Sequence, residues 1–147
     1  MSSDELDRFL AAEWMCRLGS VDADGNPHVS PLWFVWDGGA MWFTSLVRSQ
    51  RWTNLMRDPR VSVVVDAGAG YGELRGAELI GRVEPVGEVP RTGSPDAMLD
   101  GPERLFGAKY NDGVFGHDGR HAWLRLVPDK IVSWDFRKIP EAKNPVD

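Results

Sequence analysis

Leu6, Phe9, Leu10 and Trp14 recur at helical spacing behind a Ser2/Glu5 capping-box pair. This predicts a first helix within residues 1–14, ending near Glu13. The pattern then changes to strands. Met15–Val21 and His28–Trp36 flank the turn formers Asp22 to Pro27, and Ala40–Thr44 follows Asp37-Gly38-Gly39. Two consecutive hairpins of this kind make an antiparallel meander. In Pro31-Leu32-Trp33-Phe34-Val35-Trp36 both faces of the strand are apolar. One face can fill a barrel interior, and the other needs a partner chain, a helix or a flat ligand to cover it. Pro31 cannot donate to a ladder and marks an unpaired or bulged point.

The stretch from Trp42 to Val61 begins as a strand, breaks at Ser45 and resumes as a short helix. Its expected apolar face is Trp52, Leu55 and Met56, and Asp58-Pro59 stops it. Val61–Asp66 is a β-branched strand. A loop, Ala67 to Gly72, leads to a long strand, Glu73–Val86, in which Gly76 and Gly81 mark bulges or bends. Gly68-Ala69-Gly70 has neither the Walker nor the dinucleotide pattern and reads as a hairpin loop, where Tyr71 alone has the reach to touch a ligand. Residues 87–120 are rich in Gly, Pro, Asp and Glu, with helical fragments at 94–99 and 102–110, and read as an insertion between strands. Two last strand runs, Ala122–Val127 and Lys130–Phe136, surround Pro128-Asp129, and a polar tail occupies 140–147.

The length of 147 residues suits a single domain with its own core. Seven tryptophans are many for that length, which favours a tight dimer or a flat ligand. A net charge of −5 argues against a general nucleic-acid binder. The lone Cys16 allows no intramolecular disulfide, no apolar run is long enough to span a bilayer, and the acidic start is unlike a signal peptide. A cytoplasmic protein is expected.

Chemistry by side chains alone is poorly supplied. His28, His117 and His121 lack metal-ligand spacing, no Gly-x-Ser-x-Gly elbow occurs, and Cys16 in an apolar strand reads as a small buried hydrophobe. An enzyme of this sequence would draw its reactivity from a bound cofactor. The strand-to-helix junction gathers Thr44, Ser45, Arg48, Ser49 and Arg51. Helix starts favour anions and disfavour cations, so two arginines there point to a negative partner such as a phosphate. An ordinary serine-capped helix start with solvated arginines fits the same residues.

Taken together, these motifs resemble a known family. Gly25-Asn26-Pro27, Pro31-Leu32-Trp33-Phe34, Asp37-Gly38-Gly39, Trp42-Phe43-Thr44-Ser45, Asn54-Leu55-x-x-Asp58-Pro59-Arg60-Val61 and Ser133-Trp134-Asp135-Phe136 occur in the order found in pyridoxamine 5′-phosphate oxidase-like split β-barrels. The likeness extends over residues 6–138 and is nearest to their flavin- and deazaflavin-dependent oxidoreductases. It implies a mainly β fold with peripheral helices, an antiparallel six-stranded split β-barrel that forms a homodimer with coenzyme in a groove between subunits. Carried over by position, Arg51 matches the basic residue that contacts the coenzyme phosphate, and Thr44 and Ser45 match the strand-end hydroxyls near it. Pro31, Leu32 and Trp33 match the strand along the ring system. Arg48 and Ser49 would add contacts, and Tyr71 would come from the opposite subunit. Pyridoxamine phosphate oxidases are longer and end in an Arg-containing segment, so the ending from Lys138 onwards points away from vitamin B6 oxidation. The expected function is a coenzyme F420-dependent reductase that passes a hydride to a small organic acceptor, whose pocket residues 87–120 would line. The alternatives are an FMN-dependent oxidoreductase, a non-enzymatic carrier of either coenzyme, and a ligand-free interaction module.

Overall fold

The computed structural model describes residues 1–140, so the expected tail at 140–147 lies almost wholly outside the described residues. Helix α1 spans Ser3–Ala12, and both bonds of the predicted capping box are present, Glu5 N–H to Ser2 Oγ and Ser2 N–H to Glu5 Oε1. Such a cap stabilises a helix start by about 1 kcal/mol. Trp14 falls beyond the helix and is exposed. Strands β1 (Cys16–Val21), β2 (Pro27–Leu32), β3 (Val35–Asp37) and β4 (Ala40–Leu46) follow. Then come α2 (Gln50–Arg57), β5 (Arg60–Ala67), β6 (Arg75–Val86), α3 (Ala97–Tyr110) and β7 (His121–Asp135).

The strands form one antiparallel, curled half-barrel sheet in the order β2-β1-β5-β6-β7-β4-β3. The split-barrel class is the one expected, with seven strands in place of six. The extra strand arises because the predicted run His28–Trp36 breaks at Trp33-Phe34, leaving β2 and β3 on opposite edges of the sheet. The opening of the barrel therefore lies where the chain itself breaks. Tyr110 secures the break: its hydroxyl accepts from the Phe34 amide at 3.1 Å and lies 2.8 Å from the carbonyls of both Phe34 and Trp14. Lys109 Nζ donates to the Phe34 carbonyl at 3.2 Å and sits 4.1 Å from the centre of its ring. Burial lowers the Lys109 pKa to about 8.

Period-two alternation sorts side chains into two cores. Met41 and Phe43 of β4, with Leu124 and Leu126 of β7, fill the barrel interior beside Phe9, Leu10 and Leu18. Trp42 and Trp123, the intervening residues, pack with Val35, Val86 and Leu99 beneath α3. A helix is thus what covers the second apolar face of the Val35–Trp36 region. Cys16 is fully buried, and desolvation pushes its thiol up to about 12, as suits an inert core residue.

Three local expectations change. In place of fragments at 94–99 and 102–110 there is one helix, Ala97–Tyr110, capped by Asp96 and running through Pro102, which costs it a backbone donor. The two last strand runs are one strand. Its register slips between Ile80↔Lys130 and Gly81↔Pro128, leaving Asp129 unpaired, so a bulge absorbs the proline. On α2, Met56 is exposed while Asn54 is buried, bonded to Ser20 Oγ and Gln50 Nε2. A pattern of apolar residues alone cannot show a buried amide.

Candidate functional site

The junction between β4 and α2 is built as a serine-capped turn. Ser49 is the N-cap: its hydroxyl accepts from Trp52 N–H at 3.1 Å and donates to the Leu46 carbonyl at 2.8 Å. Ser45 is fully buried and contacts Ser49 Oγ at 3.2 Å. Both hydroxyls are thus occupied within the fold. Arg51, one turn into α2, spans from β4 to β2: Nε donates to Ser45 Oγ at 3.1 Å and Nη1 to Ser30 Oγ at 2.8 Å. Among the described residues two of the five guanidinium N–H groups are used this way, leaving three. No carboxylate pairs with Arg51 among the described residues, and burial lowers its pKa without displacing its proton near neutrality. A half-buried, hydroxyl-anchored, unneutralised arginine is a donor set for an anion.

Arg51 faces a cleft of about 330 Å³, which Leu32, Trp33 and Thr44 also line. Trp33 is 44% exposed and lies on Tyr110 with centroids 4.4 Å apart and planes 5° from parallel. Four of the residues named from the sequence therefore share one cleft. The other five stand elsewhere. Arg48 and Ser49 line a neighbouring recess of about 640 Å³ with Arg120. Ser45 touches the cleft only through Arg51, and Pro31 is exposed on the edge strand β2. Tyr71 lies in a short turn between β5 and β6, packed 5.1 Å from Phe136.

The rest of the lining comes from the segment 87–120 and the start of β7. It holds Arg91, Phe106, Phe115, His117, Asp118 and His121, none of which the sequence singled out for this site. Glu103 organises the wall. Its carboxylate takes both Nε and Nη2 of Arg91 at 3.0 Å, the indole N–H of Trp123 at 3.0 Å, and lies 3.3 Å from His117 Nε2. Burial raises the Glu103 pKa, but these donors outweigh it and hold the carboxyl below its ordinary value. A depressed carboxyl contributes stability above the unfolded-state value, about 4.3, and that contribution is lost as pH falls through the folded value. In urea titrations from neutral pH into acid, the midpoint should therefore fall more steeply in the wild type than in Glu103→Gln.

Fold and cleft together define a split β-barrel with an anion-ready arginine beside an aromatic wall. The family model described as pyridoxamine 5′-phosphate oxidase matches residues 2–135, and the chain belongs to that family. Among solved structures, a conserved hypothetical protein of Mycobacterium tuberculosis is 28% identical with a TM-score of 0.80, covering 95% of this chain and 88% of its own. An F420 reductase is 24% identical with a TM-score of 0.64, covering 86% of this chain and 94% of its own. HutZ, the heme storage protein of Vibrio cholerae, is 17% identical with a TM-score of 0.72, covering 88% of this chain and 92% of its own. The last two share the fold. No curated protein matches the sequence.

Proposed function

We propose that this protein is an F420-dependent oxidoreductase that reduces a small organic acceptor, with FMN as the alternative coenzyme. The observation that carries the reading is the Arg51 guanidinium, bonded among the described residues only to two serine hydroxyls and facing a cleft with Thr44 and Trp33. Such a donor set suits the phosphate of a phosphorylated flat ring, and the exposed indole suits the ring. Arg51 would hold the phosphate, Thr44 would add a hydroxyl, and Leu32 and Trp33 would flank the ring. Arg48 and Ser49 would serve charges that extend into the neighbouring recess, and Pro31 and Tyr71 would take part through a groove shared by two chains. When bound, the coenzyme supplies hydride transfer. The chain binds and orients it, and the aromatic wall excludes water.

The test is parallel titration of the purified protein with F420 and FMN, following quenching of tryptophan fluorescence, with chain stoichiometry from analytical ultracentrifugation. Saturable binding with F420 the tighter ligand is expected. Tighter FMN binding selects the alternative, and no response to either ligand overturns the reading. A carrier with the same pocket would bind coenzyme yet show no acceptor-dependent oxidation of the reduced form.

A further inference from the structure

Reduction of an organic acceptor by a hydride also consumes a proton, and two imidazoles line the cleft: His117, whose Nε2 lies on Glu103 and whose Nδ1 faces Gly93, and His121, which is the one arranged to supply it. His121 opens β7, where Leu46↔His121 and Thr44↔Trp123 are register pairs, so His121 and Thr44 are diagonal neighbours on one sheet face. Both line the cleft that Arg51 and Trp33 share. Asp118, three residues earlier, closes a tight turn. Its Oδ1 accepts the Arg120 amide at 2.8 Å and the His121 amide at 3.1 Å, and its Oδ2 lies 2.5 Å from His121 Nδ1. Partial burial opposes the Asp118 charge, yet these donors hold its pKa at about 2. A carboxylate can only accept, so Nδ1 carries a proton and Nε2 is the nitrogen left for exchange. The His121 side chain is 36% exposed, and among the described residues its ring is bonded through Nδ1 alone.

We infer that His121, oriented by Asp118, is the proton donor of the cleft, delivering a proton from Nε2 to the acceptor as the hydride arrives. The inference rests on the reductase reading above. In the step, the acceptor takes a hydride from the reduced flavin or deazaflavin and a proton from the imidazolium. The Nε2–H bond breaks, an O–H or N–H bond forms on the acceptor, and the neutral imidazole, still donating Nδ1–H to Asp118, regains its proton from water. Asp118 is a positioning residue: it fixes the tautomer and keeps its own charge. The other charged or titratable groups near the ring are Arg120 on the same turn, Arg91 on the preceding loop, and Arg51 and His117 in the cleft lining. Arg91 is already neutralised by Glu88 and Glu103, and its amide donates to the His121 carbonyl at 2.7 Å.

Two measurements on the full chain test this role. In coenzyme-free protein, ¹⁵N NMR of the side chain should show neutral His121 as the Nδ1–H tautomer, and Asp118→Asn should release that preference. In single-turnover oxidation of bound reduced coenzyme, with menadione as the probe acceptor, His121→Gln should slow the reaction by about 10²- to 10⁴-fold, the range for general acid catalysis. Each variant is assayed with coenzyme saturating, so that the rate reports the step and not occupancy, and Asp118→Asn should slow turnover in the same direction. A wild-type Nε2–H tautomer, or equal rates in His121→Gln, overturns the proton donor while leaving the coenzyme reading intact. Failure of the wild type to bind coenzyme or to be oxidised by the probe overturns the reductase reading and the donor with it.

Discussion

Arg51→Ala is expected to weaken coenzyme binding by about 1.5 to 3 kcal/mol, the cost of losing a charge-assisted hydrogen bond to the phosphate. That is roughly a tenfold to hundredfold rise in Kd in the fluorescence titration. Because Arg51 also ties Ser30 of β2 to Ser45 of β4, its removal leaves the buried Ser45 hydroxyl with Ser49 and the Leu46 carbonyl as remaining partners. Arg51→Lys separates the two roles. A lysine keeps a point charge for the phosphate but cannot reproduce the fork that bridges the two serines. It should restore part of the affinity lost in the alanine variant, and an affinity unchanged in Arg51→Ala would remove this residue from the site.

The largest effect on stability is expected from Trp123→Ala, at about 3 to 5 kcal/mol. Trp123 is fully buried, packs edge-on against Phe106 at 5.8 Å and lies 5.4 Å from Phe115. It also gives its indole proton to Glu103. The substitution opens a void between β7 and α3 and removes one donor from a carboxylate that neutralises Arg91. Chemical denaturation should show a lower midpoint with little change in slope, and the loss should reach the cleft wall through Phe106 and Phe115. Trp123→Phe keeps most of the buried ring and loses the indole hydrogen bond, so its destabilisation should be clearly smaller.

Local signals in the chain were enough to place most of the scaffold. Ser2 with Glu5 fixes the first helix, Asp22 collects the amides of Asp24 and Asn26 in the first hairpin turn, and Gly81 marks the bulge. These devices act within a few residues or within one strand pair. The break at Trp33-Phe34 was not legible, because the hydroxyl that bonds to it belongs to Tyr110, 76 residues further along. Likewise Arg51 stood out at its helix start, whereas the rest of the cleft lining exists only once the chain brings Glu103 of α3 to Arg91 and to Trp123 of β7. Asp118 and His121 are adjacent enough to be seen in the sequence. Their significance depends on a strand register that puts the imidazole beside Thr44, and no spacing rule encodes that.

The two ends of the strand order have a bearing on how the protein behaves at high concentration. β2 carries Pro27 and Pro31, and β3 is only three residues long. Along β2, residues 27, 29 and 31 point their backbone nitrogens the same way, so proline removes two of three donors on that side. A stranger's β-segment seeking to extend the sheet finds few groups to grip on one margin and almost no length on the other, which should discourage runaway fibre growth through this fold.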